Sequence, residues 1–146
     1  QLGVTSCGLQ VRLLSSVPQT LPKKGPPRCM NERFFAIART IAKKRTVAEQ
    51  MGQYYFGVVG VRPDGLIVQS YNIYDIQRQV FEGHAEYRLA SKLQAGSDVY
   101  IVRVNKQFTD RLAKPCPRCE ARLRNQRVQN VYYTIGPKEY GALALT

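Results

Sequence analysis

The order of hydrophobic and polar positions divides the chain into helices and strands from residue 31 onward. Phe34, Ile37 and Ile41 recur at the spacing of one helical face, which predicts a first helix over "NERFFAIARTIAKK". Asn31 stands where the N-cap of that helix is expected. The basic run at 43–45 stands near its C-terminal end, where the helix dipole favours cations.

A hairpin and a second helix are expected next. "YYFGVVGV" and "LIVQSYN" are rich in aromatic and β-branched residues, and "RPDG" between them has turn chemistry, so they predict a β-hairpin. A connecting loop is expected over 73–83. "HAEYRLASKLQAG" then predicts a helix with Ala85, Leu89 and Leu93 on one side and Gly96 as its stop.

The rest of the pattern alternates strand and helix. "DVYIVRV" predicts a strand, "CPRCEARLRNQR" a helix with Pro117 in its first turn, "QNVYYTI" a strand and "YGALALT" a short final strand. Strands that alternate with helices predict parallel neighbours in a sheet covered by helices. Because side chains alternate along a strand, one of Tyr132 and Tyr133 is expected to face inward and the other outward.

Residues 1–29 differ in composition from the rest of the 146-residue chain. They contain "SSVPQTLPKKGPPR", which has four prolines, and they show no hydrophobic period. This composition predicts a flexible basic arm or leader at 1–29, followed by one domain at 30–146. Cys7 and Cys29 fall within the arm and are expected to be unpaired thiols, because no other ligand type accompanies them at metal-binding spacing.

Charge narrows the choice of partner. The chain has 22 Lys and Arg residues against 10 Asp and Glu residues, which gives a net charge of +12. Such a field attracts polyanions, which favours a nucleic acid or a nucleotide over a merely solvated surface. The sequence contains no membrane-span pattern and no signal-peptide pattern, so we expect a cytoplasmic or nucleic-acid-associated protein that is not secreted and has no membrane partner.

The candidate chemistry lies at the starts of the second and third helices of the predicted domain. His84, the single histidine, begins one, and Cys116 and Cys119 form a C-x-x-C pair on the first turn of the other. One nitrogen and two sulfur donors suit zinc, and three protein ligands leave a fourth position for water. Partial positive charge at a helix start is expected to lower the pKa of these thiols and favour the thiolates.

Glu86 follows His84 by two residues, so on a regular helix of about 3.6 residues per turn the two side chains diverge by roughly 200°. Glu86 is therefore better placed to face a substrate than to act as a fourth ligand. Zinc lowers the pKa of a bound water to about 7, and a nearby carboxylate can carry its proton to a leaving amino group. A C-x-x-C pair alone also occurs in structural metal half-sites and in redox pairs. The prediction of a catalytic zinc site therefore depends on its combination with H-A-E.

With "HAE" followed by "PCPRC", residues 31–146 resemble the cytidine deaminase-like superfamily, whose signature is H-x-E and P-C-x-x-C. The compact ending is most similar to phage or bacterial members; the extra Glu and Cys features of free cytidine deaminases are not found. The resemblance implies an α/β fold, namely a three-layer α/β/α sandwich with a mixed sheet of four to five strands and helices on both faces. It implies Zn²⁺ as cofactor, bound by His84, Cys116 and Cys119, with Glu86 as the catalytic proton carrier.

The expected function is zinc-dependent hydrolytic deamination of cytosine to uracil in single-stranded DNA or RNA. Three alternatives remain open: deamination of a free pyrimidine nucleotide such as cytidine or deoxycytidylate, deamination of adenine to hypoxanthine in RNA, and a non-catalytic nucleic-acid-binding module stapled by zinc. An oligomer is compatible with each of them.

Five residues are candidate substrate contacts. Asn72, at the end of the second strand, either contacts the sugar or base, as in several branches of the superfamily, or is a turn residue. Tyr74 and Tyr133 are expected near the base as stacking faces. Arg118 and Arg122 lie four apart on one helix face and are expected either to contact phosphates or to form a solvated face.

Overall fold

A computed structural model of the chain describes residues 2–4, 10–12, 30–48, 55–72 and 84–145. The described elements run in the order β1 (Leu2–Val4), β2 (Gln10–Arg12), α1 (Glu32–Ala48), β3 (Tyr55–Val61), β4 (Ile67–Tyr71), α2 (Ala85–Ala90), β5 (Asp98–Val104), β6 (Asp110–Arg111), α3 (Pro117–Asn125), β7 (Asn130–Gly136) and β8 (Glu139–Ala144). None of the helices in these ranges combines the length and the apolar character that crossing a membrane requires.

The strands form one mixed sheet in the order β1-β2-β8-β7-β5-β3-β4, with β6 paired to β5. β5 and β7 are parallel, as predicted for two strands joined by a helix. β4 and β5 were expected to be parallel neighbours as well, and this expectation is wrong. β3 lies between them and pairs with both in antiparallel fashion, so β4 and β5 run in the same direction without touching.

Helices cover both faces of the sheet. α1 packs against β3 and β5 on one face, whereas α2 and α3 contribute to the core of the opposite face. Along β5 the side chains alternate between the two cores: Tyr100 and Val102 lie under α1, and Val99 and Ile101 lie under α2 and α3. The structure therefore confirms the predicted three-layer α/β/α sandwich with a mixed sheet. The described sheet has eight strands and not the four to five expected, because β1, β2 and β6 are only two or three residues long and too short to show a period in the sequence.

The central position of β7 changes the prediction for its two tyrosines. Tyr132 belongs to the core beneath α1 and Tyr133 to the core beneath α2 and α3, and both are buried. Alternation along the strand is as expected, but neither side chain faces solvent. The reason is that a strand inside a sheet covered on both faces buries side chains on both faces, as the middle of β7 does.

The start of α1 is fixed as the sequence predicts. The backbone N–H of Arg33 donates to Oδ1 of Asn31 at 2.9 Å, which is the capping hydrogen bond. The backbone N–H of Asn31 donates to the hydroxyl of Tyr100 at 3.0 Å, which ties the helix start to β5. Gly57 in β3 lets α1 approach closely, because a Cβ at that position would overlap the carbonyl oxygen of Ala38.

The second helix is shorter than its hydrophobic pattern predicts. α2 ends at Ala90, yet Leu93 still packs in the same core as Leu89. Gly96 has φ +85° in the turn that follows, so it serves that turn and not the helix stop. In the hairpin, Gly65 has φ +88° and the N–H of Arg62 donates to the carbonyl of Leu66 at 3.0 Å, as expected for "RPDG".

The segment 1–29 contains regular structure that its composition does not predict. β1 and β2 pair in antiparallel fashion, and β2 meets β8 in parallel at Arg12 and Gly141. Both strands are three residues long. The remaining residues of the segment, with Cys7 and Cys29, lie outside the described part, and the division of the chain at residue 30 stays a prediction.

Candidate metal centre and active site

The three predicted metal ligands come together where α2 and α3 begin. His84 is the N-cap residue of α2, Cys116 is the N-cap residue of α3, and Cys119 lies in the first turn of α3. Nδ1 of His84 is 3.5 Å from Sγ of Cys119 and 3.8 Å from Sγ of Cys116. Their ligand atoms all lie within 4.8 Å of one another, and no other such group occurs in the described ranges.

This spacing fits one tetrahedral zinc ion. Bonds of about 2.0 Å to nitrogen and about 2.3 Å to sulfur place the two donor atoms roughly 3.5 Å apart in a tetrahedral site. Neither His84 nor Cys116 makes a side-chain capping hydrogen bond, although each occupies an N-cap position. Neither position holds one of the residues that usually cap a helix, namely Ser, Thr, Asp or Asn, and the two side chains face each other.

The sheet holds the segment that delivers the cysteines. The N–H of Ala113 donates to the carbonyl of Thr134 at 2.8 Å, and the hydroxyl of Thr134 donates to the carbonyl of Arg111 at 2.7 Å. Pro117 at the first helical position lacks an N–H that the helix would leave unpaired in any case. The two cysteines are three residues apart, so their sulfurs lie on the same side of the first turn.

Glu86 lies inside the same site without belonging to the ligand cluster. Its side chain is buried, with 4 % exposed, and no described basic residue forms an ion pair with it. Burial raises the pKa of Glu86, and hydrogen bonds from its own backbone N–H and from the Cys119 thiol oppose this effect. A buried carboxylate beside a candidate metal site, with no described cation to neutralise it, can both accept and release a proton.

The thiol of Cys119 does not have the lowered pKa that its position at a helix start predicts. Burial raises its pKa, and the adjacent Glu86 carboxylate raises it further. Both effects disfavour a negative charge in an apolar site, and they outweigh the partial charge of a short helix. The thiolate at Cys119 therefore depends on a bound metal ion, whose own charge deprotonates a coordinating thiol.

The candidate substrate residue Asn72 already serves the fold. Its Oδ1 accepts the backbone N–H of Phe56 at 3.0 Å, beyond the last residue pair between β3 and β4. It lies at the sheet edge where α2 and α3 begin, so its contact with a sugar or base stays a prediction. Tyr74 lies outside the described residues.

The structure does not support a stacking role for Tyr133. Its side chain is 1 % exposed and packs in the core beneath α2 and α3. The ring lies over Gly141, where a Cβ would overlap it. An aromatic face that is covered in this way cannot also receive a nucleobase, so Tyr133 is a packing residue.

The two candidate arginines on α3 have different surroundings. Arg118 is exposed, whereas Arg122 is half-buried with its guanidinium carbon 4.3 Å from the ring centre of Tyr87 on α2. Arg122 thus helps to join the two helices that carry the ligands, and phosphate contact by either arginine stays a prediction. Arg88 was not predicted as a site residue from the sequence, although it follows His84 by one helical turn.

Comparison with known proteins gives structural likeness without sequence likeness. No protein-family model and no curated protein sequence matches the chain. The structure is similar to that of cytidine deaminase from Mycobacterium leprae, with 16 % identity over 76 % of this chain and 92 % of that chain and a TM-score of 0.47. It is also similar to cytidine deaminase from Mycobacterium tuberculosis, with 15 % identity over 70 % of this chain and 88 % of that chain and a TM-score of 0.44.

Proposed function

We propose that this protein is a zinc-dependent hydrolytic deaminase that converts cytosine to uracil in single-stranded nucleic acid. The observation that carries the proposal is the buried Glu86, which no described cation neutralises, beside a cluster of three metal-ligand side chains. A structural zinc site has no use for such a carboxylate, because its burial costs free energy and no described cation compensates it.

The number of ligands also favours catalysis over a structural role. Structural zinc sites are almost always closed by four protein ligands, whereas catalytic sites use three. Within the described ranges the cluster consists of His84, Cys116 and Cys119 alone. This count supports the enzyme over the non-catalytic zinc-stapled module.

The zinc, when bound, supplies a water molecule whose pKa is lowered to about 7. Glu86 accepts a proton from the attacking water and delivers it to the amino nitrogen at C4 of cytosine. A C–O bond forms at C4, the C–N bond breaks, and ammonia leaves, so cytosine and water become uracil and ammonia. Burial suits Glu86 to this role, because a raised pKa makes its carboxylate a better proton acceptor.

Charge supports a nucleic-acid strand as the form of the substrate. The chain has a net charge of +12, which includes the exposed Arg118 in the first turn of α3, next to Cys119. A free nucleotide needs one or two cationic contacts, whereas a strand presents a phosphate at every nucleotide. The excess of cations therefore favours a strand over a mononucleotide.

The experiment that tests this function is a deamination assay on protein with a measured zinc content. Purified protein is incubated with cytidine, deoxycytidine monophosphate, and single-stranded DNA and RNA oligonucleotides that contain one cytosine or one adenine. Uracil and hypoxanthine are then quantified by chromatography. We expect uracil from a cytosine-containing oligonucleotide, with a higher kcat/KM than for the mononucleotide.

The other outcomes identify the alternatives. A mononucleotide that is deaminated as efficiently as the oligonucleotide would place the enzyme in nucleotide metabolism, and hypoxanthine as the product would identify an adenine deaminase. Zinc-loaded, folded protein that deaminates no substrate but binds the oligonucleotide would contradict the enzyme and identify a zinc-stapled binding module.

A further inference from the structure

Two arginines from opposite faces of the sheet meet at one exposed tyrosine. Tyr71 is the last residue of β4, and 38 % of its surface is exposed. The guanidinium carbon of Arg45, from α1, lies 4.5 Å from the centre of the Tyr71 ring. The guanidinium carbon of Arg88, from α2, lies 4.7 Å from the same centre. We call these three residues the Tyr71 cluster.

The positive charges of the Tyr71 cluster have no protein counter-charge among the described residues. Neither Arg45 nor Arg88 forms an ion pair there, and the Arg45 guanidinium makes no hydrogen bond to a described residue. Arg88 donates one hydrogen bond from Nη1 to the backbone carbonyl of Tyr71 at 2.7 Å, which fixes its position. Two guanidiniums held near one ring repel each other, so an anion that binds both would be stabilised.

Another arginine of α1, Arg39, does have a carboxylate partner, so the lack of one at Arg45 within the described residues is not a property of α1 as a whole. Arg39 donates to both carboxylate oxygens of Asp110, from Nε to Oδ1 at 3.0 Å and from Nη2 to Oδ2 at 2.8 Å. The fold therefore provides a carboxylate for one α1 arginine and none, within the described ranges, for Arg45. The fork of a guanidinium matches the oxygens of a phosphate as well as those of a carboxylate.

The Tyr71 cluster lies beside the candidate active site. Arg88 and His84 are one helical turn apart, and the N–H of Arg88 donates to the carbonyl of His84 at 3.0 Å. Arg88 contacts Tyr71, and Lys92, just after α2, contacts Gln69, so α2 begins beside the C-terminal end of β4. A strand that places a base at the zinc ligands thus brings a neighbouring phosphate within reach of this cluster.

We propose that Arg45 and Arg88, positioned by Tyr71, bind a phosphodiester of the substrate strand next to the target nucleotide. This inference rests on the proposed function and adds a defined phosphate site to it. Tyr71 is a positioning residue, because its ring holds the two guanidiniums and does not itself need to contact the strand.

The test compares binding of a fluorescein-labelled single-stranded oligonucleotide with one central cytosine across a series of salt concentrations. In Arg45→Gln/Arg88→Gln we expect affinity to fall at least tenfold at low salt. The slope of log affinity against log salt should fall in magnitude by about 0.7 for each phosphate that the variant no longer neutralises. Arg45→Lys/Arg88→Lys should keep the slope but bind more weakly than the unaltered protein, because it keeps the charge and lacks the planar fork.

The matched control is Lys44→Gln/Lys106→Gln, which removes the same charge from two exposed side chains. Its slope and affinity should change less than those of the arginine variant. Zinc content and Tm of each variant are measured to show that the fold is retained. Equal effects of the two double glutamine variants would overturn the site, because they would show only a general charge effect.

Deamination of the same oligonucleotide and of deoxycytidine monophosphate separates this inference from the proposed function. If the unaltered protein deaminates the oligonucleotide and the arginine variant binds it equally well, the phosphate site is wrong and the function stands. A loss of kcat/KM as large for the mononucleotide as for the oligonucleotide would also overturn it, because the site would then bind a terminal phosphate. An oligonucleotide that the unaltered protein neither binds nor deaminates would refute both.

Discussion

Two buried carboxylates, one on each side of the sheet, have opposite surroundings. Glu86 is 4 % exposed on the side of α2 and α3, and Asp110 is 7 % exposed on the side of α1. Asp110 accepts hydrogen bonds from Nε and Nη2 of Arg39 at 3.0 and 2.8 Å. Glu86 has no such cation among the described residues. A buried carboxylate that a cation neutralises holds elements together, whereas one without a cationic partner remains available to exchange a proton.

Asp110 belongs to a network of ion pairs and hydrogen bonds that also contains Arg39, Tyr140 and Glu32. The hydrogen bond to Asp110 is the main cause that raises the pKa of Arg39, so this side chain stays charged. The hydroxyl of Tyr140 donates to Glu32 at 2.9 Å, and Nη1 of Arg39 lies 3.7 Å from the same carboxylate. These groups line a cavity of about 500 Å³. The buried carboxylate that lines this cavity, Asp110, therefore has a cation beside it, which Glu86 lacks among the described residues.

The largest effect is expected where the metal ligands beside Glu86 are removed. In Cys116→Ser/Cys119→Ser we expect zinc to fall from about one per chain to none, with loss of deamination and a lower Tm, because zinc binding stabilises the folded state. Elemental analysis and a thermal melt measure this. Cys7→Ser/Cys29→Ser is the matched control and should keep its zinc. Zinc retained in the first variant would show that the ligands are wrongly assigned.

The next effect concerns Glu86 alone. Glu86→Gln should lower kcat by at least about 10²–10⁴-fold, the usual contribution of a positioned acid–base group, while zinc content stays at that of the unaltered protein. Its Tm should not fall, because the substitution replaces a buried carboxylate that no described cation neutralises with a neutral group of the same shape. A variant that loses zinc would make Glu86 a ligand, and one that keeps full activity would exclude it from the mechanism.

Replacement of Asp110 should lower stability and leave activity unchanged, which is the reverse of the result expected for Glu86→Gln. Asp110→Asn removes the nearer counter-charge of Arg39, which then keeps only the Glu32 carboxylate at 3.7 Å. We expect the free energy of unfolding to fall by about 1.5–3 kcal/mol, the usual loss for a hydrogen bond between charged groups. The kcat/KM per zinc-loaded molecule should remain close to that of the unaltered protein. Arg39→Met/Asp110→Leu should recover most of the stability, because it removes both buried charges together. Loss of activity without loss of stability in Asp110→Asn would contradict the structural role.

The smallest change in the free energy of unfolding is expected for Tyr140, which joins the Asp110–Arg39 pair to the more exposed Glu32. Tyr140→Phe removes the hydrogen bond to Glu32 but keeps the ring, which packs against Phe35 with ring centres 4.4 Å apart. We expect a loss of about 1 kcal/mol in the free energy of unfolding and no change in zinc content. Chemical denaturation resolves a change of this size. A loss of unfolding free energy as large as that of Asp110→Asn would show that the Tyr140 hydroxyl is as important to the network as the Asp110 carboxylate.

Features that depend on neighbours along the chain follow from the amino-acid order without knowledge of the fold. The N-cap at Asn31, the turn at Gly65 and the spacing of Cys116 and Cys119 each involve residues a few positions apart. The alternation of strand and helix likewise predicted the layered fold. Local geometry fixes these features, because a helical turn or a tight turn closes within about four residues.

Features that join residues far apart in the chain were set by the packing of the elements. The placement of β3 between β4 and β5, the burial of Tyr133, and the pairing of Arg39 with Asp110 across 71 positions are of this kind. The raised pKa of the Cys119 thiol is another, since it arises from burial and from Glu86 on a different helix. Burial and charge pairing depend on which elements pack together, and no periodicity within one segment encodes that choice.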